Sequence, residues 1–105
     1  MKEISVQDLA RWRSEGKDFV LLDVREPDEV AAAVLPDSLV ISMREVPARI
    51  DELPQDKPIA VLCHHGGRSE RVAQFLVARG FVDVSNVDGG IDAYAVAVDS
   101  SIPRY

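Results

Sequence analysis

The chain has little cysteine: Cys63 is the only thiol among 105 residues. That excludes an internal disulfide and any metal cluster built on several cysteines. Long apolar runs are also missing. The uncharged, largely apolar stretch through residues 59–67 falls far short of the ~20 apolar residues that a membrane-spanning helix takes. The first eight residues hold no apolar core of the kind that marks a secretory leader. Positive charge is in deficit, with twelve Lys/Arg against eighteen Asp/Glu and a net charge of −6. Neutralising a phosphate backbone needs a basic face, so neither nucleic acid nor a membrane surface is expected as a partner. Internal repeats, low-complexity tracts and linkers are absent. With 47% hydrophobic and 29% charged residues, the composition is that of an ordinary globular protein. One domain over residues 1–105, in a reducing and therefore cytoplasmic compartment, is the expectation.

Apolar clusters recur along the whole chain. Residues 5–14 read as a helix, with Ser5 as N-cap, Asp8 three residues later, and Val6, Leu9, Ala10 and Trp12 on an inner face. Phe19, Val20, Leu21 and Leu22 form a short apolar run of the kind buried on both faces of a parallel sheet. Pro27, Asp28 and Glu29 open a second helix, closed by Pro36. Leu39, Val40 and Ile41 make another short strand. Residues 44–53 read as a short helix with Val46, Ile50 and Leu53 inward. Ile59, Ala60, Val61 and Leu62 are a third buried strand. Residues 68–79 give the strongest helix, with Val72, Phe75, Leu76 and Arg79 in phase and Gly80 as its stop. Val82, Val84 and Val87 form a last strand, residues 91–98 a last helix, and residues 102–105 show no period. Short apolar strands alternating with helices predict an α/β fold around a mostly parallel sheet. Ligands of such folds sit beyond the carboxyl ends of the strands. Two of those ends carry polar chemistry: Asp23-Val24-Arg25, and Cys63-His64-His65-Gly66-Gly67-Arg68-Ser69.

The second segment leads from a buried strand into a helix that starts near Arg68 or Ser69. Gly66 and Gly67 give the loop backbone freedom. Such a turn can aim several amide N–H groups into one concavity, a nest for an anion. The helix adds its positive end. Arg68 and Arg71 add formal charge, and His64 and His65 add donors. Residues 63–79 hold three arginines against one glutamate, so they carry +2 while the rest of the chain carries −8. A thiol in that setting is expected to be more acidic than a free cysteine and to serve as a nucleophile. The competing reading is that Cys63 is a small core residue. The glycine loop and the arginine five positions on favour chemistry.

These residues resemble the rhodanese-like sulfurtransferase family, over nearly the whole chain. The carriers are Leu22-Asp23-Val24-Arg25-Glu26-Pro27-Asp28-Glu29, then Val61-Leu62-Cys63 with Gly66 and Arg68-Ser69. Asn86-Val87-Asp88-Gly89-Gly90-Ile91-Asp92-Ala93-Tyr94 and the closing Ser101-Ile102-Pro103-Arg104-Tyr105 complete the match. The resemblance implies a central, mostly parallel sheet of about five strands flanked by helices on both faces. It implies transfer of a sulfane sulfur: Cys63 takes sulfur from a small anionic donor such as thiosulfate or a persulfide, then yields it to an external thiol, cyanide or protein acceptor. Cys63 and Arg68 are the implied catalytic pair. His64, His65, Gly66, Gly67, Ser69 and Arg25 are the implied donor-binding residues, and no cofactor is called for. Rhodanese-type loops have four residues between Cys and Arg, and related dual-specificity phosphatases have five. Here there are four, which favours sulfur over phosphate. A cysteine phosphatase and a non-catalytic binding module are the alternatives. The family's usual Gly-His-Ile-Pro element reads Ala33-Val34-Leu35-Pro36 here, and Tyr94 stands where tryptophan is usual.

Two further readings stay open. Asp23 and Arg25 either line the mouth of the site or form a structural ion pair. Arg68 either faces an anion or ties loop to helix through a carboxylate. A metal is not expected at His64 and His65, since zinc needs three or four converging ligands and adjacent residues converge poorly. Trp12 reads as packing, and Gly89-Gly90 as a turn into the last helix.

Overall fold

Ile59–Leu62 is buried at every residue, which only a strand covered on both faces allows. In the computed structural model, which describes residues 1–105, this strand lies at the centre of a five-stranded parallel sheet. The strands are β1 (Lys2–Ile4), β2 (Val20–Asp23), β3 (Leu39–Val40), β4 (Ile59–Leu62) and β5 (Val84–Val87), in the order β1-β5-β4-β2-β3. The helices are α1 (Val6–Ser14), α2 (Pro27–Ala32), α3 (Gly67–Ala78) and α4 (Gly90–Ala97). No helix is long and apolar enough to cross a membrane.

Period-two alternation sorts the strand residues into two cores. Leu22, Ile59, Val61 and Cys63 pack with Val72, Ala73 and Leu76 of α3. Leu21, Ala60 and Leu62 pack with Leu9 of α1 and with Ile91 and Tyr94 of α4. Each fully buried leucine contributes roughly 2 kcal/mol. Cys63 thus belongs to the α3-side core while standing at the carboxyl end of the central strand. Chain direction diverges between β2 and β4: β2 leads out to β3, and β4 leads the other way to β5. Ligands bind at such a switch point, and the register Asp23↔Leu62 brings the ends of both strands together there.

The α1 start follows the expected capping box: the Asp8 amide donates to Ser5 Oγ at 3.0 Å and the Ser5 amide to Asp8 Oδ2 at 3.2 Å. Four expectations are corrected. The segment read as a helix over 44–53 is two 3-10 turns, Met43–Glu45 and Pro47–Glu52, because Pro47 has no N–H to continue an α-helical ladder. The helix from Pro27 ends at Ala32 and not at Pro36; Ala33 is extended and buries its side chain in the core. Val82 lies outside β5 and is 87% exposed. Arg79 is an exposed cap of α3 with its guanidinium over the Phe75 ring. Strand β1 is an addition. Its Lys-Glu-Ile sequence has no apolar period, and it is a strand because β5 offers a parallel edge, pairing Glu3 with Asn86.

Candidate functional site

Cys63 leaves β4 with its side chain turned to the α3 core, at 1% exposure. The loop then folds back over the sulfur. Gly66 takes φ +111°, a left-handed angle that only glycine adopts freely, and its amide donates to Cys63 Sγ at 3.1 Å. A side chain there would also crowd the Gly89 amide at 3.3 Å. The positive end of α3 starts at the next residue.

The loop carbonyls are tied down elsewhere. The Ile91 amide donates to the Cys63 carbonyl at 2.9 Å, and the Asp92 amide to the His64 carbonyl at 3.1 Å. Asn86 Nδ2 donates to the Gly66 carbonyl at 3.3 Å. These contacts turn the negative ends of three peptide groups outward from the loop, as a nest for an anion requires. They also explain Gly90, which has φ +62° and is so close to the loop that a Cβ would lie 2.4 Å from the His64 carbonyl oxygen.

Cys63, His64, His65, Gly67, Arg68 and Arg71 line an open pocket of 310 Å³ over the sulfur. A larger concavity of 550 Å³, between Arg13, Phe19 and Tyr94, lies on the other face and contains neither thiol nor histidine. Five of the six lining residues come from the Cys63–Ser69 segment singled out by sequence, and Arg71 lies one turn further along α3. Gly66 and Ser69 act from behind: Ser69 is fully buried, and its Oγ lies 3.2 Å from Cys63 Sγ.

Arg68 takes the carboxylate-pairing role. Its Nη1 and Nη2 donate to the two Glu29 oxygens at 2.6 and 2.8 Å. The bidentate guanidinium hydrogen bonds hold Glu29 at about 2, and Glu29 in turn raises the Arg68 pKa further above its ordinary range. The pair fixes the first turn of α3 to α2.

Arg25, expected among the donor-binding residues, is corrected to a structural role. It has no exposed surface. Nε donates to Asp23, Nη1 to the Glu29 carbonyl and Tyr105 hydroxyl, and Nη2 to Asp23 and the Ala33 carbonyl. All five guanidinium N–H groups are used, leaving none for an anion. Burial alone would favour a neutral Arg25, but hydrogen bonds to Asp23 and Tyr105 outweigh it and raise its pKa.

His64 and His65 stand at the pocket rim, His65 with its side chain 67% exposed. Their rings meet at 3.9 Å between centroids, tilted by 31°. One ligand atom from each and an Asp92 carboxylate oxygen all lie within 4.8 Å of one another, so the neighbours converge more than expected. Arg104 already holds both Asp92 oxygens, at 2.9 and 3.2 Å. Burial pushes the His64 pKa down, with His65 adding in the same direction.

Three residues of this neighbourhood were not singled out in the sequence. Glu29 and Tyr105 lie in segments that carried the family resemblance, and Asn86 begins another. Tyr105 stacks its ring on His64 at 4.0 Å and 8°, and its hydroxyl donates to Glu29 Oε2 at 2.9 Å.

The architecture has known counterparts. Residues 5–97 match the model of the rhodanese-like domain. A protein named Sulfurtransferase from Allochromatium vinosum is 34% identical over 95 residues, covering 90% of this chain and 89% of that one. Thiosulfate sulfurtransferase GlpE of Pseudomonas syringae pv. syringae is 37% identical over 93 residues, covering 89% and 86%. The crystal structure of a rhodanese-like domain protein from Staphylococcus aureus superposes with a TM-score of 0.86 at 28% identity, over 100% of this chain and 99% of that one. A cysteine closing the central strand of an all-parallel sheet, a loop wrapped over its sulfur and these matches together place the chain in the rhodanese-like domain family.

Proposed function

We propose that this protein is a sulfurtransferase that carries sulfane sulfur on Cys63. The supporting observation is the Gly66 amide donating to Cys63 Sγ within a four-residue loop where the Cys63, His64 and Gly66 carbonyls are bonded away. The Cys63 thiolate attacks the outer sulfur of thiosulfate. An S–S bond forms to Sγ, the bond to the sulfonate sulfur breaks, and sulfite leaves with the electron pair. The product is a Cys63 persulfide anion, and the loop amides stabilise its charge. Cyanide, a small thiol or a protein thiolate then attacks the terminal sulfur and frees the Cys63 thiolate, a ping-pong sequence. The chain has no second thiol to resolve the persulfide, so the acceptor is external. His64, His65, Gly67 and Arg71 line the entrance for a small anion. A reducing, cytoplasmic setting suits a mechanism that starts from a free thiol.

The test is intact mass after incubation with thiosulfate, glutathione persulfide or mercaptopyruvate. One added sulfur on the wild type, none on Cys63→Ser, and its release by cyanide support the reading. No uptake from any donor overturns it, and phosphomonoester hydrolysis lost on Cys63→Ser would assign the site to a phosphatase.

A further inference from the structure

Behind the sulfur runs a chain of hydrogen bonds that ends on an exposed residue of the edge strand. Cys63 Sγ lies 3.2 Å from Ser69 Oγ, and Ser69 Oγ lies 2.5 Å from Asn86 Oδ1. Asn86 Nδ2 lies 3.0 and 3.2 Å from the two Glu3 carboxylate oxygens and 3.3 Å from the Gly66 carbonyl. Cys63, Ser69 and Asn86 are all at most 2% exposed, and the exposed Glu3 ends the chain at the surface.

Proton counting fixes the direction of each bond. An ionised carboxylate and a carbonyl only accept, so the Asn86 amide must turn its NH2 toward Glu3 and Gly66. Its oxygen is thereby held toward Ser69. A serine hydroxyl has one proton, and that proton goes to Asn86. The face of Ser69 Oγ that meets the sulfur is then a lone pair. A thiol satisfies it by donating its S–H. A thiolate does not: lone pair would face lone pair until the Ser69 hydroxyl rotates to the sulfur and abandons a buried amide oxygen.

We propose that Glu3 is a positioning residue for Cys63: by reinforcing, with the Gly66 carbonyl, the orientation of the Asn86 amide it keeps the Ser69 proton off the sulfur and so sets how readily Cys63 ionises. This rests on Cys63 being the reacting group of the function above. Gly66 acts in the opposite sense, since its amide favours negative sulfur. The other charged or titratable groups near the sulfur are His64 and His65 of the loop, Arg68 and Arg71 of α3, and Glu29 of α2 through Arg68. Glu3 alone among the ionised groups reaches Sγ through an unbroken line of side-chain hydrogen bonds. Edge strand β1 thereby acquires a role in the site beyond closing the sheet.

The single cysteine makes the test direct, since alkylation by iodoacetamide reads Cys63 alone in the intact mass. Its rate is followed against pH for wild type, Glu3→Ala and Glu3→Gln, each also combined with Ser69→Ala. Glu3→Gln keeps an oxygen for Asn86 Nδ2 and is expected to retain the wild-type profile. Glu3→Ala removes it, and its profile is expected to move to lower pH by about half a unit, the scale of one modest hydrogen bond. In the Ser69→Ala background that movement is expected to vanish. Equal movement in Glu3→Ala and Glu3→Gln would make the effect one of charge through space and overturn the proposal. Movement that survives Ser69→Ala, or no movement in any variant, overturns it as well. The readout needs no sulfur donor, so absent sulfur transfer with these shifts intact would sink the proposed function alone.

Discussion

Arg68 and Glu29 form a two-pronged ion pair between the first turns of α3 and α2, at 2.6 and 2.8 Å. The Glu29 oxygens also accept from the Glu26 amide at 3.1 Å and the Tyr105 hydroxyl at 2.9 Å. Glu29 ionises at about 2 against an ordinary 4.5. A carboxyl depressed in this way stabilises the fold above its unfolded value, and that stability is lost as pH falls from about 4.5 through about 2. Glu29→Gln is therefore expected to melt lower than wild type at pH 6, and the gap is expected to close on acidification to pH 2. Thermal melts across that range check it. A gap that stays constant would mean the pair contributes no charge-dependent stability.

Gly90 is expected to be the least replaceable glycine. In Gly90→Ala a methyl would overlap the carbonyls of Cys63 and His64 at a left-handed φ, pushing α4 off the loop. The expected loss is about 3 kcal/mol or more, with sulfur uptake falling in the surviving fold. Gly16→Ala is the control: φ is also positive, at +69°, but nothing lies within 4 Å. Its cost is expected at about 1 kcal/mol, from backbone strain alone. Denaturant melts of both variants give the comparison.

Tyr105→Phe keeps the ring stacked on His64 and removes the hydroxyl that bridges Arg25 and Glu29. One N–H of the fully buried Arg25 is left without an acceptor. The variant is expected to lose about 1–2 kcal/mol. Tyr105→Ala additionally uncovers His64, which should then react faster with diethylpyrocarbonate, whereas Tyr105→Phe should not. Equal reactivity in all three proteins would show that the ring does not shield the histidine.

His64 carries a pH dependence of opposite origin to that of Glu29. Its lowered pKa means that the unfolded chain binds the proton first, near 6.5, so acidification below that point favours unfolding. The loss develops between 6.5 and the lower native value and then levels off. His64→Gln is expected to flatten the fall in melting temperature between pH 7 and pH 5. An unchanged slope would assign it to other groups.

The central strand, the loop and the α3 helix were legible because their signals are local. Ile59 to Leu62 has no polar residue to misplace, and Ser5 with Asp8 closes a capping box within one turn. The spacing from Cys63 to Arg68 needs no partner to be seen. What was hidden depends on distant partners. Lys2–Ile4 becomes a strand only against β5, more than eighty positions away. Arg25 reads as an available cation until its acceptors arrive from Asp23, Glu29, Ala33 and Tyr105. Asn86 stands without a signal of its own between Val84 and Val87, and only the approach of Ser69 and Glu3 makes it part of the site. Pro47 was the exception: a local breaker stood in plain view, but the apolar spacing of Val46, Ile50 and Leu53 outweighed it.

The tethered carbonyls of Cys63, His64 and Gly66 have one more consequence. Rotating peptide groups to one side leaves the loop electrically lopsided without any formal charge. His64 at the rim exchanges a proton with the medium, and salt screens Arg71, but a peptide dipole has no proton to lose. The cradle's pull on a negative sulfur should therefore persist from mildly acidic to alkaline conditions. Any pH optimum would then report the reacting thiols and the rim, while the grip itself stays constant.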